Sequence, residues 1–291
     1  MEVVSLAARN KSGDNKMIPP LRPAAFAFDA IAPTFDSRFG AWRSVAAQRR
    51  AVRGVLLEVF PTGGHILELG GGTGEDATFL AQRGFKVLVT DPSPAMLAQA
   101  KIKLEPLGSQ TAITAGEELE TFATNYLSAG GAMFDGVFSN FAPLNCISDL
   151  APVARGLAQL LKPNAPAVLV LFGTFCPGEM VTEVLRGRPL LALRRFKRGP
   201  APARLTKREF SVVYHRRGEV LRAFAPWFVL EKRLGIGVTV PPSAAEPWIS
   251  QHPRLLAAME RVDCRLARPL AMLGDHLLYQ FRRTTAPSAM G

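Results

Sequence analysis

In the stretch HILELGGGTGEDA, residues 65–77, a carboxylate, Glu68, stands beside a loop almost free of side chains that holds Gly70, Gly71, Gly72 and Gly74. Glycines let a backbone adopt positive φ and approach a ligand closely, and the exposed amides of a turn leading into a helix favour anions. Two phosphate-binding patterns compete for such a loop, and neither fits. Counted from Gly70, a dinucleotide G-x-G-x-x-G meets Glu75 at its third glycine, and no glycine completes the pattern from Gly71 or Gly72 either. No Gly-Lys-Ser or Gly-Lys-Thr follows to make a P-loop. Glu68 would repel a pyrophosphate, whereas it would attract an ammonium group or orient water near a zwitterion. Asp91, 21 positions after Gly70 at the end of VLVTD, is placed to accept hydrogen bonds from ribose hydroxyls. The ligand implied is a nucleoside carrying a cationic rather than a phosphorylated group.

Such residues need strands that end at a common edge. Short apolar runs, HILELG, FKVLVT, TAITA, FDGVFS and PAVLVLFG, alternate with segments long enough for helices, which predicts a doubly wound, mostly parallel α/β unit over residues 62–172. An amphipathic helix from Trp42 to Phe60, stopped by Pro61, leads into the glycine region, and a second runs along Leu150, Val153, Leu157, Leu160 and Leu161 to Pro163. After Gly173 the rhythm breaks into a basic stretch with Pro189, Pro200 and Pro202. A helix over 216–224, the strand WFVLEKRLGIGVTV, a helix over 254–267 and the strand DHLLYQFRR follow, the two strands suited to antiparallel pairing at the sheet edge. The organisation expected is a loose arm over 1–25, a single domain over 26–283 with an insertion or lid over 173–210, and a frayed tail over 284–291. No internal repeat is present.

The pair LELGGGTG and VTDPSPAML resembles the first two motifs of class I S-adenosylmethionine-dependent methyltransferases. That resemblance implies a Rossmann-like sheet of seven strands with an antiparallel last strand, and S-adenosylmethionine as cofactor. It implies that the glycine loop, with Glu68, Gly70, Gly71, Gly72, Thr73 and Gly74, meets the methionine part, and that Asp91, with Pro92 beside it, holds the ribose. Met96 would be an apolar contact, although as a core residue it needs no such role. TAGEELETF is similar to the segment whose acid receives the adenine amino group, which gives Glu117 with Glu118 adjacent; an exposed acid at a helix start is the plainer reading. FDGVFSNFAPLNCISDL resembles the fourth motif, so Ser139, Asn140 and Phe141 would line the cofactor, and Leu144 and Asn145 would face the substrate. FDAIAPTFD is similar to the YDxIAxxYD opening of the ubiquinone and menaquinone methyltransferases, which closes over the cofactor. Here Phe28 and Phe35 replace both tyrosines, so a hydroxyl contact is lost.

Methyl transfer from a sulfonium needs chiefly a nucleophile held in line, and a hydroxyl nucleophile gains from a base. Among the four histidines, His65 and His276 read as structural, His252 as a surface turn, and His215, with Tyr214, as a substrate contact at the start of a helix. No residue is assigned as catalytic. The three cysteines, Cys146, Cys176 and Cys264, are widely spaced without His or Cys neighbours, which argues for reduced thiols and against a disulfide framework or a zinc site.

The chain has 291 residues, 48% of them hydrophobic, enough to bury a sizeable core. Its longest uncharged apolar run, Ala165 to Cys176, is shorter than the roughly 20 residues of a bilayer span, and the N-terminus lacks the apolar stretch of a signal peptide, so a cytoplasmic location is expected. The formal net charge is +11, and nine basic residues with no acid fall between Val184 and Arg208. Nucleic acid is an unfavoured partner: SNFAPL lacks the Pro-Pro-aromatic signature of base-amino methylation, no Pro-Cys nucleophile is present, and Phe196 is the single ring in the basic stretch. Mixed leucines and arginines there suit a substrate lid or peripheral contact with an anionic membrane, with a solvated loop as the alternative. Nothing points to an obligate protein partner. The function expected is methylation of a small-molecule acceptor, lipophilic or acidic; the alternatives are a non-catalytic S-adenosylmethionine-binding sensor or assembly protein, and an RNA methyltransferase.

Overall fold

The computed structural model describes residues 24–285. Nine strands form: β1 His65–Leu69, β2 Lys86–Asp91, β3 Gln110–Ile113, β4 Gly136–Ser139, β5 Pro166–Phe172, β6 Pro200–Leu205, β7 Arg208–Val213, β8 Phe228–Ile236 and β9 His276–Arg283. The α-helices are α1 Ala24–Asp29, α2 Phe35–Phe39, α3 Arg43–Val59, α4 Glu75–Ala81, α5 Pro94–Leu104, α6 Leu119–Ser128, α7 Ala151–Leu160, α8 Pro177–Leu185, α9 Pro189–Ala192, α10 Arg217–Phe224 and α11 Pro253–Leu266. Seven strands make one sheet in the order β3-β2-β1-β4-β5-β9-β8, with β1 to β5 mutually parallel.

Alternation along the strands divides the core in two. Leu67, Leu69, Val137, Leu169 and Leu171 face α6, α7 and α10 through Leu119, Ala123, Val153, Leu157, Val220 and Phe224. Ile66, Phe138, Val168 and Val170 face α3, α4 and α5 through Val52, Leu56, Leu80, Leu97, Ala100 and Leu104. The central strands are thus buried on both faces, which is why they read as continuous apolar runs.

The last two strands pair antiparallel at the sheet edge, as expected: β9 pairs antiparallel with both β5 and β8, so β8 forms the edge and runs with the parallel set. One expectation is corrected. The insertion continues past residue 210 and only its first half is helical, because β6 and β7 form a separate antiparallel hairpin to Val213. Pro200 and Pro202 argue against a sheet interior; a two-stranded ribbon has open edges that accept them. Ala201, Ala203, Leu205, Phe210 and Val212 of the hairpin bury against Ala27 of α1 and Met96 of α5 as a third apolar cluster. Helix α1 starts at Ala24, inside the stretch read as an arm, whose residues 1–23 lie outside the described residues. Thr284 is tied down, donating from its amide and hydroxyl to the Trp227 carbonyl; residues 286–291 of the expected tail also lie outside the described residues.

Candidate active site

The winding of the sheet reverses between β1 and β4, the point at which ligands sit in open α/β sheets, outside the carboxyl ends of the strands. A cavity of about 440 Å³ opens there. Gly70, Gly72 and Gly74 have positive φ, so the turn from β1 into α4 winds through conformations that other residues adopt at a cost. Gly71 is required by crowding: a Cβ there would lie 2.5 Å from Val89 Cγ1 and 2.8 Å from Glu68 Oε2. At Gly71 the Glu68 carboxylate and Val89 occupy the space a side chain would need.

Glu68 is buried, and its Oε2 has no hydrogen-bond partner. Burial, reinforced by the charge of Asp76 and opposed by Arg49, pushes its carboxyl well above the usual carboxylate range. Asp76 itself is compensated. Arg49 Nη1 and Asn140 Nδ2 reach its Oδ2 at 2.7 and 2.8 Å, and Arg53 Nε reaches its Oδ1 at 2.7 Å. Asn140 is therefore a brace between the end of β4 and α4 as well as part of the cavity wall. The Arg49 guanidinium lies over the Phe141 ring, 4.6 Å from its centroid, and also borders the cavity.

Asp91, at the end of β2, accepts the amides of Gly72 at 3.0 Å and Ser93 at 2.8 Å. Burial pushes its carboxyl up to about 6 against those amides. The segment over this end of the cavity is held by its two aspartates. Asp29 Oδ1 accepts the Ser93 hydroxyl at 2.5 Å and the Ala95 amide at 3.0 Å, while Asp36 Oδ1 accepts the Thr73 hydroxyl at 2.6 Å. Phe28 and Phe35 line the cavity, and Phe28 packs against Phe210 of the hairpin with ring centroids 5.9 Å apart.

Of the residues singled out from sequence, Phe28, Glu68, Gly70, Gly71, Gly72, Thr73, Asp91, Pro92, Met96, Glu117, Asn140 and Phe141 line this cavity, as does Leu144. The others stand apart from it. Gly74 serves packing, since a Cβ there would lie 3.0 Å from Ala100 Cβ of α5. Glu118 is exposed outside the lining, and Ser139 is buried, donating to the Leu69 carbonyl at 3.0 Å. Asn145 is buried with both ends of its amide engaged, Nδ2 to the Val213 carbonyl at 2.6 Å and Oδ1 to the Phe172 amide at 2.9 Å. It ties β5 to the hairpin. Tyr214 packs on Phe172, and His215 is buried with Nε2 2.9 Å from the Ile147 carbonyl. Burial lowers the pKa of His215, so it stands as a neutral core histidine. Cys146 borders the cavity, but burial pushes its thiol up to about 12, which leaves it protonated and unreactive.

A second cavity of about 100 Å³ shares Phe35, Arg49, Phe141 and Phe172 with the first. Its charged wall escaped sequence reasoning. Arg195 is buried, with Nη2 2.6 Å from both Glu179 Oε2 and Asp275 Oδ1 and Nη1 donating to the Gly173 and Asp275 carbonyls. Arg194 reaches both oxygens of Glu179 at 2.9 and 2.8 Å. Burial would raise Asp275, yet the charge of Arg195 and the hydrogen bonds from Arg195 and Gln48 help to pull it down to about 2. His276 Nδ1 lies 3.4 Å from Asp275 Oδ2, with its ring stacked on Phe172 and edge-on to Phe141. Burial lowers the His276 pKa and keeps the ring neutral. The antiparallel direction of β9 was the available signal, because it puts the first residue of that strand opposite Phe172, the last residue of β5. Among the described residues no cluster of His, Cys, Asp and Glu is placed to hold a metal, and no helix is long and apolar enough to cross a membrane.

Residues 66–164 match the family described as "Methyltransferase domain". No curated protein matches the chain. Among solved structures, the fold is similar to the CcbJ methyltransferase of Streptomyces caelestis, at 15% identity and a TM-score of 0.55 over 89% of this chain and 98% of that one. It is similar to an S-adenosylmethionine-dependent methyltransferase of Mesorhizobium loti, at 20% identity and a TM-score of 0.50 over 81% and 98%. It is also similar to DhpI in complex with SAH, at 14% identity and a TM-score of 0.50 over 90% and 95%. At these identities the likeness is one of fold. Residues 66–164, about a third of the chain, are thus similar to a methyltransferase domain, and they lie in a Rossmann-like sheet of the kind found in S-adenosylmethionine-dependent methyltransferases of known structure.

Proposed function

We propose that the chain transfers the methyl group of S-adenosylmethionine to a small-molecule acceptor by in-line displacement. The observation that carries this reading is the buried Glu68 carboxylate, whose Oε2 is unpartnered beside the cavity. An unpartnered buried oxygen costs roughly 1–3 kcal/mol, which a bound ammonium group offsets. The remaining polar groups suit the rest of the molecule. Arg49 complements a carboxylate, Asp91 keeps lone pairs for ribose hydroxyls, and Glu117 borders the part of the cavity near β3. When bound, the cofactor supplies an electrophilic methyl carbon on a sulfonium. The chain's own part is to hold, to exclude water through Phe28, Phe35, Phe141 and Phe172, and to take up a proton.

The smaller cavity is assigned to the acceptor. Its rings and arginines suit a lipophilic or acidic molecule, and His276, a neutral imidazole beside an ionised Asp275, is suited to accept a hydroxyl proton. Within class I methyltransferases, the FDAIAPTFD opening favours kinship with the ubiquinone and menaquinone type, since both its aspartates anchor the segment over the cofactor end. Calorimetry with S-adenosylmethionine, its demethylated product, NAD and ATP tests the reading: heat is expected from the first two, and binding of NAD or ATP alone overturns it. Release of S-adenosylhomocysteine with a panel of hydroxyl and amine acceptors then separates an enzyme from a binding protein, which releases none.

A further inference from the structure

Helix α8 is inside out. Its buried face carries acids, Glu179 against Arg194 and Arg195 and Glu183 against Arg188. Its solvent face carries Val181, Val184 and Leu185, at the i, i+3 and i+4 spacing of one helical stripe. Helix α9 also leaves apolar groups outside, Leu190 and the following Leu193 facing outward while Leu191 and Ala192 are buried. Leu185 and Leu190 are 82% and 72% exposed. Phe196, also exposed, pairs with exposed Phe175 at 6.0 Å between ring centroids. An ordinary surface helix turns its charges to water; here the charges hold the insertion to the body and the apolar side chains are left outside. Apolar surface gathered in this way marks an interaction site.

The border of the face says what it meets. Among the residues from Val181 to Arg198, the exposed charged side chains are Arg186, Lys197 and Arg198, and the one acid, Glu183, is buried. Exposed apolar groups bordered by cations and free of exposed carboxylates complement an anionic lipid surface, where the side chains enter the headgroup boundary and the cations meet phosphates. A second copy is a poor fit, because a symmetric contact would set Lys197 and Arg198 against their own duplicates.

We infer that α8, α9 and the turn through Lys197 and Arg198 form an interfacial anchor that docks the chain on anionic phospholipid membranes. The inner side of the anchor, through Glu179, Glu183, Arg188 and Leu191, walls the smaller cavity. If that cavity takes the acceptor, a link that rests on the methyltransferase reading, the acceptor is a lipophilic molecule that partitions into the bilayer and reaches the site from the docked face.

The test uses the full chain, sedimented with vesicles of phosphatidylglycerol mixed into phosphatidylcholine and with vesicles of phosphatidylcholine alone. Wild type is expected to sediment with the anionic vesicles and to be released by raised salt. Leu185→Glu with Leu190→Glu, and separately Lys197→Glu with Arg198→Glu, should each lower partitioning by about tenfold or more. All four positions are exposed, so each variant should keep the wild-type Tm and S-adenosylmethionine affinity, measured in parallel. Wild type left in the supernatant overturns the inference, whether or not analytical ultracentrifugation shows a dimer using this face. So does sedimentation that neither pair of substitutions changes. Vesicle binding without cofactor binding sinks the methyltransferase reading and leaves the anchor standing; cofactor binding without vesicle binding does the reverse.

Discussion

Glu68 and Asp91 are two carboxyls that burial holds above their usual range in one cavity, and each turns ligand binding into a proton event. Burial favours the protonated form of Glu68, and a cation settling against it favours loss of that proton. Binding of S-adenosylmethionine near neutral pH should therefore release up to about one proton, seen as a dependence of calorimetric heat on the ionisation enthalpy of the buffer. Glu68→Gln should abolish that release and weaken binding by about ten- to a hundredfold, the worth of a hydrogen bond to a charged group. Asp91 acts in the same pH direction. Its folded-state value of about 6 lies above the ordinary 3.8, so its contribution to folding stability is present at acid pH and lost as pH rises through 6. Its hydrogen-bond acceptance needs the ionised form, so below pH 6 Asp91 should add a further fall of about tenfold per unit in cofactor affinity to the dependence set by Glu68. Asp91→Asn should flatten that fall, and an unchanged profile would remove Asp91 from the site. Both residues were legible because strand ends and glycine spacing fix their positions from the backbone alone. Asn145 and His215 were not. A polar residue in a loop reads the same whether it faces a ligand or spends its hydrogen bonds on neighbouring carbonyls, as these two do.

At the scale of elements, local pattern located every strand of the main sheet and helices α3, α7, α10 and α11 to within a few residues, because apolar period and Pro or Gly stops are local signals. Partners distant in sequence were invisible. The basic stretch looked like a substrate lid, a lipid-facing patch or a solvated loop, yet Arg194 and Arg195 turn inward to Glu179 and Asp275, the latter 80 residues beyond Arg195. Charge along a sequence says nothing about which side of an element a side chain leaves from. The distinction is measurable. Removing one partner of a buried ion network leaves an uncompensated charge at a cost of about 3–5 kcal/mol, so Glu179→Gln should lower the urea midpoint substantially while Arg198→Gln leaves it in place. The segment of α1 and α2 gives a second case. Asp29→Ala removes two hydrogen bonds to the start of α5, which should weaken cofactor binding by about tenfold or more and expose residues 24–39 to limited proteolysis.

For the whole molecule, the direction of a single strand decides what the site contains. Because β9 runs against β5, His276, which the sequence suggested was structural, sits at the carboxyl edge with Phe141 and Phe172, whereas a parallel last strand would have sent it to the far side of the sheet. His276→Gln should lower turnover far more than cofactor affinity and remove the acid limb of the pH–rate profile, whereas loss of both together marks a residue that only supports the fold. The hairpin binds the molecule into one unit in a similar way. Met96 lines the cofactor cavity, and it is buried by Ala27 of α1 and by Phe210 and Val212 of the hairpin, so neither element can open without exposing the site. Cofactor at about a hundred times its Kd stabilises the bound fold by about 2.7 kcal/mol, which for a chain of this size is a rise of about 5 to 10 °C in Tm. If hairpin, α1 and sheet are coupled through Met96, calorimetry should show that rise in one transition. If they are not, an early transition from the hairpin and α1 alone should move while the main one stays, and Phe210→Ala would then lower only the early one.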